Sequence, residues 1–505
     1  MKKLTILISL IWLTTTLAFS QDNRFRYLKV DNGDSIAIED GIHYRIKTEL
    51  DESSQVVVKV YREETLTATY PQGTRIYPVV KNNNRLPVMF INLPEQKEID
   101  DIERNDWMEG ATYQLCDGER QLQEGITFGG KLDIKGRGNT TWNDYSKKPY
   151  SIRLEQSGKR PFLGMAAQRH WVLLANRLDC SFLRNSVTFK MGEIFNSVGW
   201  TPHSQQIELF INGEYRGLYE LAEQIRIDEN RVNIEKISAE NPDGGYIIEL
   251  VNSLVDEPYF RTWHNRTGAY TPDNETTSTV GVNLKDPDQN LETHFDEYLN
   301  QWISDDIDPE LGRESLWTII KNKVLAAEES VFSGNWQDAD EGYKKYFDVP
   351  SMADFYLINE FVKNPDADHG SVFLSYQPLA DKFFFGPIWD FDLTMGNYYE
   401  GNWRYAEDFK VKDECYWILQ IIQDDYFKTF VRTRWSEKSA ELNSLLAFID
   451  SESEYIREAR ERDYEKHGIT YYMNIPADDF DESIQILRDF VEKRIQWLND
   501  HINEL

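Results

Sequence analysis

The spacing of apolar residues changes period part-way along this chain, and that change limits the folds open to it. Up to about residue 255 apolar positions alternate or gather in short β-branched runs, as in Ser54 to Tyr61 and Pro87 to Leu93. From about Glu292 they recur at three- and four-residue spacing, as in Ser315 to Phe332 and Met352 to Val362, the pattern of helices with one buried face. A single β insert, Val372 to Tyr376 and Phe383 to Ile388 around Ala380-Asp381, interrupts the helical half. Asn212-Gly213 between two apolar runs is the strongest short hairpin signal. Strands first and helices later predict an α+β fold with two lobes. Residues 21–84, with turn signals at Asp31 to Asp34 and Pro71 to Gly73, read as a small β-rich accessory domain. The main domain then spans 85–505, with a β-rich first lobe to about 255 and a mainly helical second lobe from about 290.

The first twenty residues read as an address. Lys2 and Lys3 precede an apolar run from Leu4 to Ala18, and Ala18-Phe19-Ser20 offers small residues where a signal peptidase cleaves. Cleavage after Ser20 would leave a secreted, periplasmic or cell-surface protein. The run is shorter than the ~20 apolar residues needed to span a bilayer, and no later segment qualifies, so no stable membrane insertion is expected. Charge excludes another class of partner. The chain has 55 lysines and arginines against 86 acids, a formal net charge of −31. Such a field repels nucleic acid, and an anionic ligand needs a local concentration of positive charge. Cys116, Cys180 and Cys415 have no metal-ligand spacing. One disulfide with one free thiol, or three reduced cysteines, are both open.

That local positive charge occurs in one place. Between Lys131 and Arg160 eight basic residues (131, 135, 137, 147, 148, 153, 159, 160) face three acids, around the glycine loop Gly136-Arg137-Gly138-Asn139. Glycines between strands let backbone N–H groups approach an anion. A lone Gly-x-Gly is also common in ordinary hairpins, so the motif is weak alone.

The second constellation is acidic. Asn364-Pro365-Asp366 leads to Asp368, His369 and Ser371, and Ile388-Trp389 leads to Asp390-Phe391-Asp392. If residues 388–392 are a strand, both carboxylates of Asp390 and Asp392 point to one face. Like charges that close raise each other's pKa unless a cation lies between them, and a hard divalent ion such as Mg²⁺ is the natural partner. Acids capping a turn are the plainer reading. His369 reads as a loop residue, Arg184 as a structural ion-pair partner, and Glu223 either lines a pocket or closes a strand.

Together these segments resemble the CotH kinase family. The resemblance rests on Gly136 to Trp142 with Lys147 to Tyr150, on Trp171 to Ala175 with Leu183-Arg184-Asn185, on Asn212 to Tyr219 with Glu223-Gln224, and on Gly386 to Leu393, in family order. It covers roughly Leu86 to the C-terminus. It implies an atypical protein-kinase-like fold and transfer of phosphate from ATP, with Mg²⁺ or Mn²⁺, to serine hydroxyls of a secreted or cell-surface protein. Carried over by position, Lys148 looks like the strand lysine on the α- and β-phosphates. Gly136, Arg137, Gly138 and Asn139 would cover the phosphates, with Glu223 beside the nucleotide. Asp366 would accept the hydroxyl proton, and Asp390 or Asp392 would hold the metal. Protein kinases place an Asn on a second metal five residues after the catalytic Asp. Here that position is Ser371, with Asp392 or Asp368 as substitutes, and the His-Arg-Asp and Asp-Phe-Gly strings are absent. All of this requires folding to gather the early amine and the later acids around one pocket. Two rivals remain: a kinase fold retained as a surface, assembly or glycan-binding scaffold, and a metal-dependent hydrolase on the same aspartates.

Overall fold

The computed structural model describes residues 85–120, 122, 128–155, 158–238, 241–251, 259–263, 280–287, 316–367, 370–468 and 480–505, and the strands 25–30, 35–39, 45–50, 56–61, 66–70, 76–79, 307–308 and 313–314. The expected signal segment, Asp368 and His369 lie outside the described residues. The chain forms two compact units, and its fold is α+β.

Unit 1 comprises Met1–Arg177, Ser204–Gln224 and Glu454–Ile469. Its front forms two three-stranded sheets. In one, β1 (Phe25–Val30) pairs with β2 (Ser35–Glu39) and β6 (Ile76–Val79), and in the other β4 (Val56–Tyr61) lies between β3 (Arg45–Leu50) and β5 (Leu66–Tyr70). The turns expected at 31–34 and 71–73 lie outside the described residues. Next come β7 (Val88–Asn92), β8 (Met108–Cys116), β9 (Phe128–Gly136), β10 (Tyr150–Leu154), the short pair β11 (Arg160–Phe162) and β12 (Met165–Gln168), β13 (His170–Leu174), β14 (Ser204–Ile211) and β15 (Glu214–Glu223). Seven of them close a barrel in the order β10-β13-β15-β14-β7-β8-β9. Closure satisfies both sheet edges, which an open sheet of this length would leave as unpaired backbone. Ile91, Leu115, Ile134, Ile152, Trp171 and Leu221 fill its interior and are fully buried. Asn212 and Gly213, at φ of 51° and 77°, make the expected turn between β14 and β15. The Asn212 side chain accepts from Leu93 N at 2.8 Å and donates to Lys97 O at 3.0 Å, tying the turn to the end of β7.

Unit 2 comprises Leu178–His203, Ile225–Ser453 and Thr470–Leu505. It contains a five-stranded sheet of order β17-β18-β16-β21-β22, from β16 (Tyr246–Val251), β17 (Tyr259–Arg261), β18 (Gly281–Asp286), β21 (Val372–Gln377) and β22 (Lys382–Phe385), while β19 (Ile307–Asp308) and β20 (Arg313–Glu314) form a separate pair. The strand at 246–251, read from sequence with the first lobe, pairs instead with the β insert: Tyr246 to Leu250 lie opposite Tyr376 to Val372. Sequence proximity misled here because antiparallel partners can be distant in the chain. The helix Val349–Val362 is buried along almost its whole length. Asp348 caps it by accepting from Ser351 N at 2.8 Å. Lys363 ends it in the left-handed region, at φ 49°. Among the described residues no helix is long and apolar enough to cross a membrane.

Candidate functional site

The acids gather in unit 2, on two irregular segments. The first follows the helix Val349–Val362. Asn364 Oδ1 accepts from Asp366 N at 3.0 Å, closing a turn that lifts Asp366 out of the helix line. Gly370 returns the chain so tightly, with its N–H on Asp366 O at 3.0 Å, that a Cβ there would lie 2.9 Å from Asp366 Cβ. The Cys415 thiol donates to Ala367 O at 3.1 Å from below. Deeper in, Arg494 pairs with Glu360 at 2.8 Å, both fully buried, and Glu360 also accepts from Lys410 N at 2.8 Å and Lys412 N at 3.0 Å. This network anchors the helix end from which the Asp366 loop springs.

The second segment carries Asp390 and Asp392. The expectation of a strand here is corrected: β22 ends at Phe385, and Asp390 takes φ 71°. A positive φ breaks the two-residue alternation, so strand geometry does not align the two carboxylates. Ser371 also has a positive φ, 53°, and its hydroxyl donates to Asp390 Oδ2 at 3.1 Å. Two non-glycine residues in this region store about 1–3 kcal/mol each, a cost that concentrates at functional sites.

The carboxylates are nevertheless electrostatically joined. Burial, and after it the negative charges of Asp390, Asp179 and Asp366, push the Asp392 carboxyl well above the ordinary range, against the pull of the Arg184 guanidinium. Asp390 is exposed, while Asp366, Ser371 and Asp392 are partly buried. Among the described residues no group of three or more His, Cys, Asp or Glu side chains is gathered closely enough to hold a metal ion by itself. The donor set therefore differs from a closed protein cage. A cation that takes one or two carboxylates and completes its shell with water and phosphate oxygens, as Mg²⁺ does, would not need such a cage.

Two supporting residues had no role assigned from the sequence, Asn185 and Asn397, and they act beside Asp179 and Arg184. Asp179 accepts from Ser181 N at 2.9 Å and Arg184 N at 2.9 Å, fixing the start of the helix Arg184–Ile194, and pairs with Arg184 as a buried ion pair. Arg184, read as structural, is that and more: its Nε donates to Thr394 O at 2.8 Å and its terminal nitrogen to Met395 O at 3.2 Å. Asn185 Oδ1 accepts from Phe391 N at 2.7 Å, and Asn397 Nδ2 donates to Leu178 O at 2.8 Å and Asp392 O at 2.6 Å. Arg184 and Asn185 stood in a quoted motif. Nothing in the sequence marked Asn397.

The glycine loop and its neighbours lie in unit 1. Between β9 and β10 the chain makes a short helix, Thr140–Asp144. Gly136 is glycine because the Trp142 ring lies where its Cβ would be, 2.3 Å away. Gly138, at φ 75°, leaves that Cβ position uncrowded, with Pro149 Cγ at 3.6 Å. Its carbonyl accepts from Arg104 Nε at 2.6 Å, and the Asn139 side chain accepts from Arg104. Arg137 N donates to Pro149 O at 3.2 Å. Lys148 lies just before β10 rather than on it, with its ammonium on Trp142 O and over the Trp142 ring. The preceding Lys147 is the buried one, 2.6 Å from Asp463. Several charges of the positive stretch are matched locally, Arg153 by Asp133 at 2.7 Å and Lys131 by Glu155 at 3.5 Å. Glu223, on β15 opposite Trp171, is fully buried. The three cysteines are free thiols, Cys116 and Cys415 buried.

The residues expected to work together thus divide by unit: Gly136, Arg137, Gly138, Asn139, Lys148 and Glu223 in unit 1, and Asp366, Ser371, Asp390 and Asp392 in unit 2. A search of curated proteins finds no match to the chain. The family model described as CotH kinase protein matches residues 134–498, a span that takes in the glycine loop, the Arg184 helix start and both acidic segments. The chain belongs to the CotH kinase family.

Proposed function

We propose that this protein is a secreted, two-lobed atypical protein kinase that transfers the γ-phosphoryl group of ATP to serine hydroxyls of an extracytoplasmic protein. The observation that carries the reading is the family match over residues 134–498, which takes in Asp366, Asp390 and Asp392, acids whose mutual repulsion a divalent cation would relieve. In this reading Asp390, with Asp392, holds Mg²⁺ or Mn²⁺. The cation supplies charge neutralisation for the phosphates, the main requirement of phosphoryl transfer. Ser371 keeps the Asp390 carboxylate in place through its hydrogen bond. Asp366 accepts the serine proton as the serine oxygen bonds to the γ-phosphorus and the bond to the β-phosphate oxygen breaks. Lys148 and the backbone of Gly136 to Asn139 serve the nucleotide phosphates, with Glu223 on the nucleotide side.

A second reading, a kinase fold kept as a surface or assembly scaffold, is favoured by one feature. The Lys148 ammonium and the Asn139 side chain are engaged within unit 1, by Trp142 O and Arg104. Transfer of labelled phosphate to a serine-containing acceptor decides between them. Wild type should label the acceptor, and Asp366→Asn and Asp390→Asn should each lose about 100-fold or more in rate. Equal labelling by all three proteins removes the catalytic assignment, and release of free phosphate without acceptor labelling points to a hydrolase.

A further inference from the structure

The segment that carries Asp390 and Asp392 has no regular secondary structure to hold it, yet it is bonded at successive positions. Phe391 N is taken by Asn185 Oδ1 at 2.7 Å, Asp392 O by Asn397 Nδ2 at 2.6 Å, and Thr394 O and Met395 O by the Arg184 guanidinium at 2.8 and 3.2 Å. The donors and acceptors are themselves fixed. Arg184 is ion-paired with Asp179 and almost fully buried, and Asn397 also bonds Leu178 O at 2.8 Å. The bonds follow directly on Asp390 and reach Met395, the two non-glycine residues of the segment with a positive φ, 71° and 46°. Asp390 sits at φ 71° and is followed directly by the amide that Asn185 holds. A planar guanidinium reaching two successive carbonyls fixes direction as well as distance, which a lysine cannot do.

We propose that Asn185, Asn397 and Arg184 are positioning residues that hold the Asp390–Asp392 segment in its cation-binding shape. The inference rests on the reading of Asp390 and Asp392 as metal ligands. It adds that the helix start at Arg184, which donates nothing to the cation itself, sets the affinity. Residues that orient metal ligands in this way typically change affinity by about 10–100-fold when removed.

The test is Mn²⁺ binding to the full chain, read by loss of the free-ion electron paramagnetic resonance signal, with circular dichroism and thermal melting on each variant. Asn185→Ala and Asn397→Ala should each weaken Mn²⁺ binding about tenfold while remaining folded. Arg184→Lys should weaken it too, because one amine cannot span both carbonyls. Ser351→Ala, which removes hydrogen bonds of the helix Val349–Val362 and of Phe385 N, should leave affinity unchanged at a similar loss of stability. Folded Asn185→Ala and Asn397→Ala proteins that bind Mn²⁺ like wild type overturn the positioning role alone. No Mn²⁺ binding by wild type, or equal binding by Asp390→Asn, overturns the metal reading and this inference with it.

Discussion

At Lys147 an ammonium group lies wholly inside unit 1, with its Nζ 2.6 Å from Asp463 Oδ2 and 2.5 Å from Leu218 O. Asp463 also accepts from Leu218 N at 2.8 Å, and Gly217 is glycine because a Cβ would meet Asp463 Oδ2 at 2.2 Å. Removing one member of such a pair leaves an uncompensated buried charge, so Lys147→Met should cost about 3–5 kcal/mol in urea unfolding. Lys147→Met with Asp463→Leu should recover most of that loss. Nearby His467 holds Arg216 O at 2.7 Å, and burial pushes its imidazole down to about 4 against the opposing charge of Asp463. A depressed histidine contributes stability that is fully present above the ordinary value near 6.5 and is lost as pH falls through 4. Wild type should therefore lose roughly 1–3 kcal/mol more than His467→Gln between pH 7 and pH 4, measured by urea midpoints at each pH. The two adjacent lysines show how little of this was legible: nothing in Lys147-Lys148 says which one goes inside, because the acid that decides it lies more than three hundred residues further on.

Among elements, the start of the helix Arg184–Ile194 is fixed locally, by Asp179 accepting from Arg184 N five residues on. Its packing is not. Gly192 meets Ile388 Cδ1 and Thr201 Cγ2, each 2.7 Å from where a Cβ would stand. On an open helix Gly→Ala gains about 0.5–1 kcal/mol. Here the contact reverses the sign, and Gly192→Ala should destabilise by about 1–3 kcal/mol in thermal or urea unfolding. The hairpin at Asn212-Gly213 was legible because a tight turn needs positive φ at both positions and few residues accept it. The segment 388–392 was misread for the converse reason. Its apolar and acidic residues alternate like a strand, but the left-handed turn at Asp390 is held by Asn185, about two hundred residues away, together with Ser371 and the nearby Asn397.

For the molecule as a whole, a net charge of −31 means that a nucleotide at the proposed site would need its phosphate charge neutralised, by a cation or by local basic residues. At 100-fold excess over its dissociation constant, Mg-ATP should add about 2.7 kcal/mol of stability. The shift should persist in Asp366→Asn, which keeps the metal donors, and shrink in Asp390→Asn. Differential scanning fluorimetry with Mg-ATP, ATP with chelator, and Mg²⁺ alone checks it, and no shift under any condition favours the scaffold reading.

Period and turn chemistry are local properties, so the order of strands and helices, the main hairpin and the motifs that carry the family resemblance could be read from the residues alone. Barrel closure, the pairing of 246–251 with 372–377, the burial of Lys147 and the clamp on Asp390 and Asp392 depend on partners brought together from distant parts of the chain. Those choices are made by packing and by the cost of burying unpaired charge, quantities that exist only once the chain has folded.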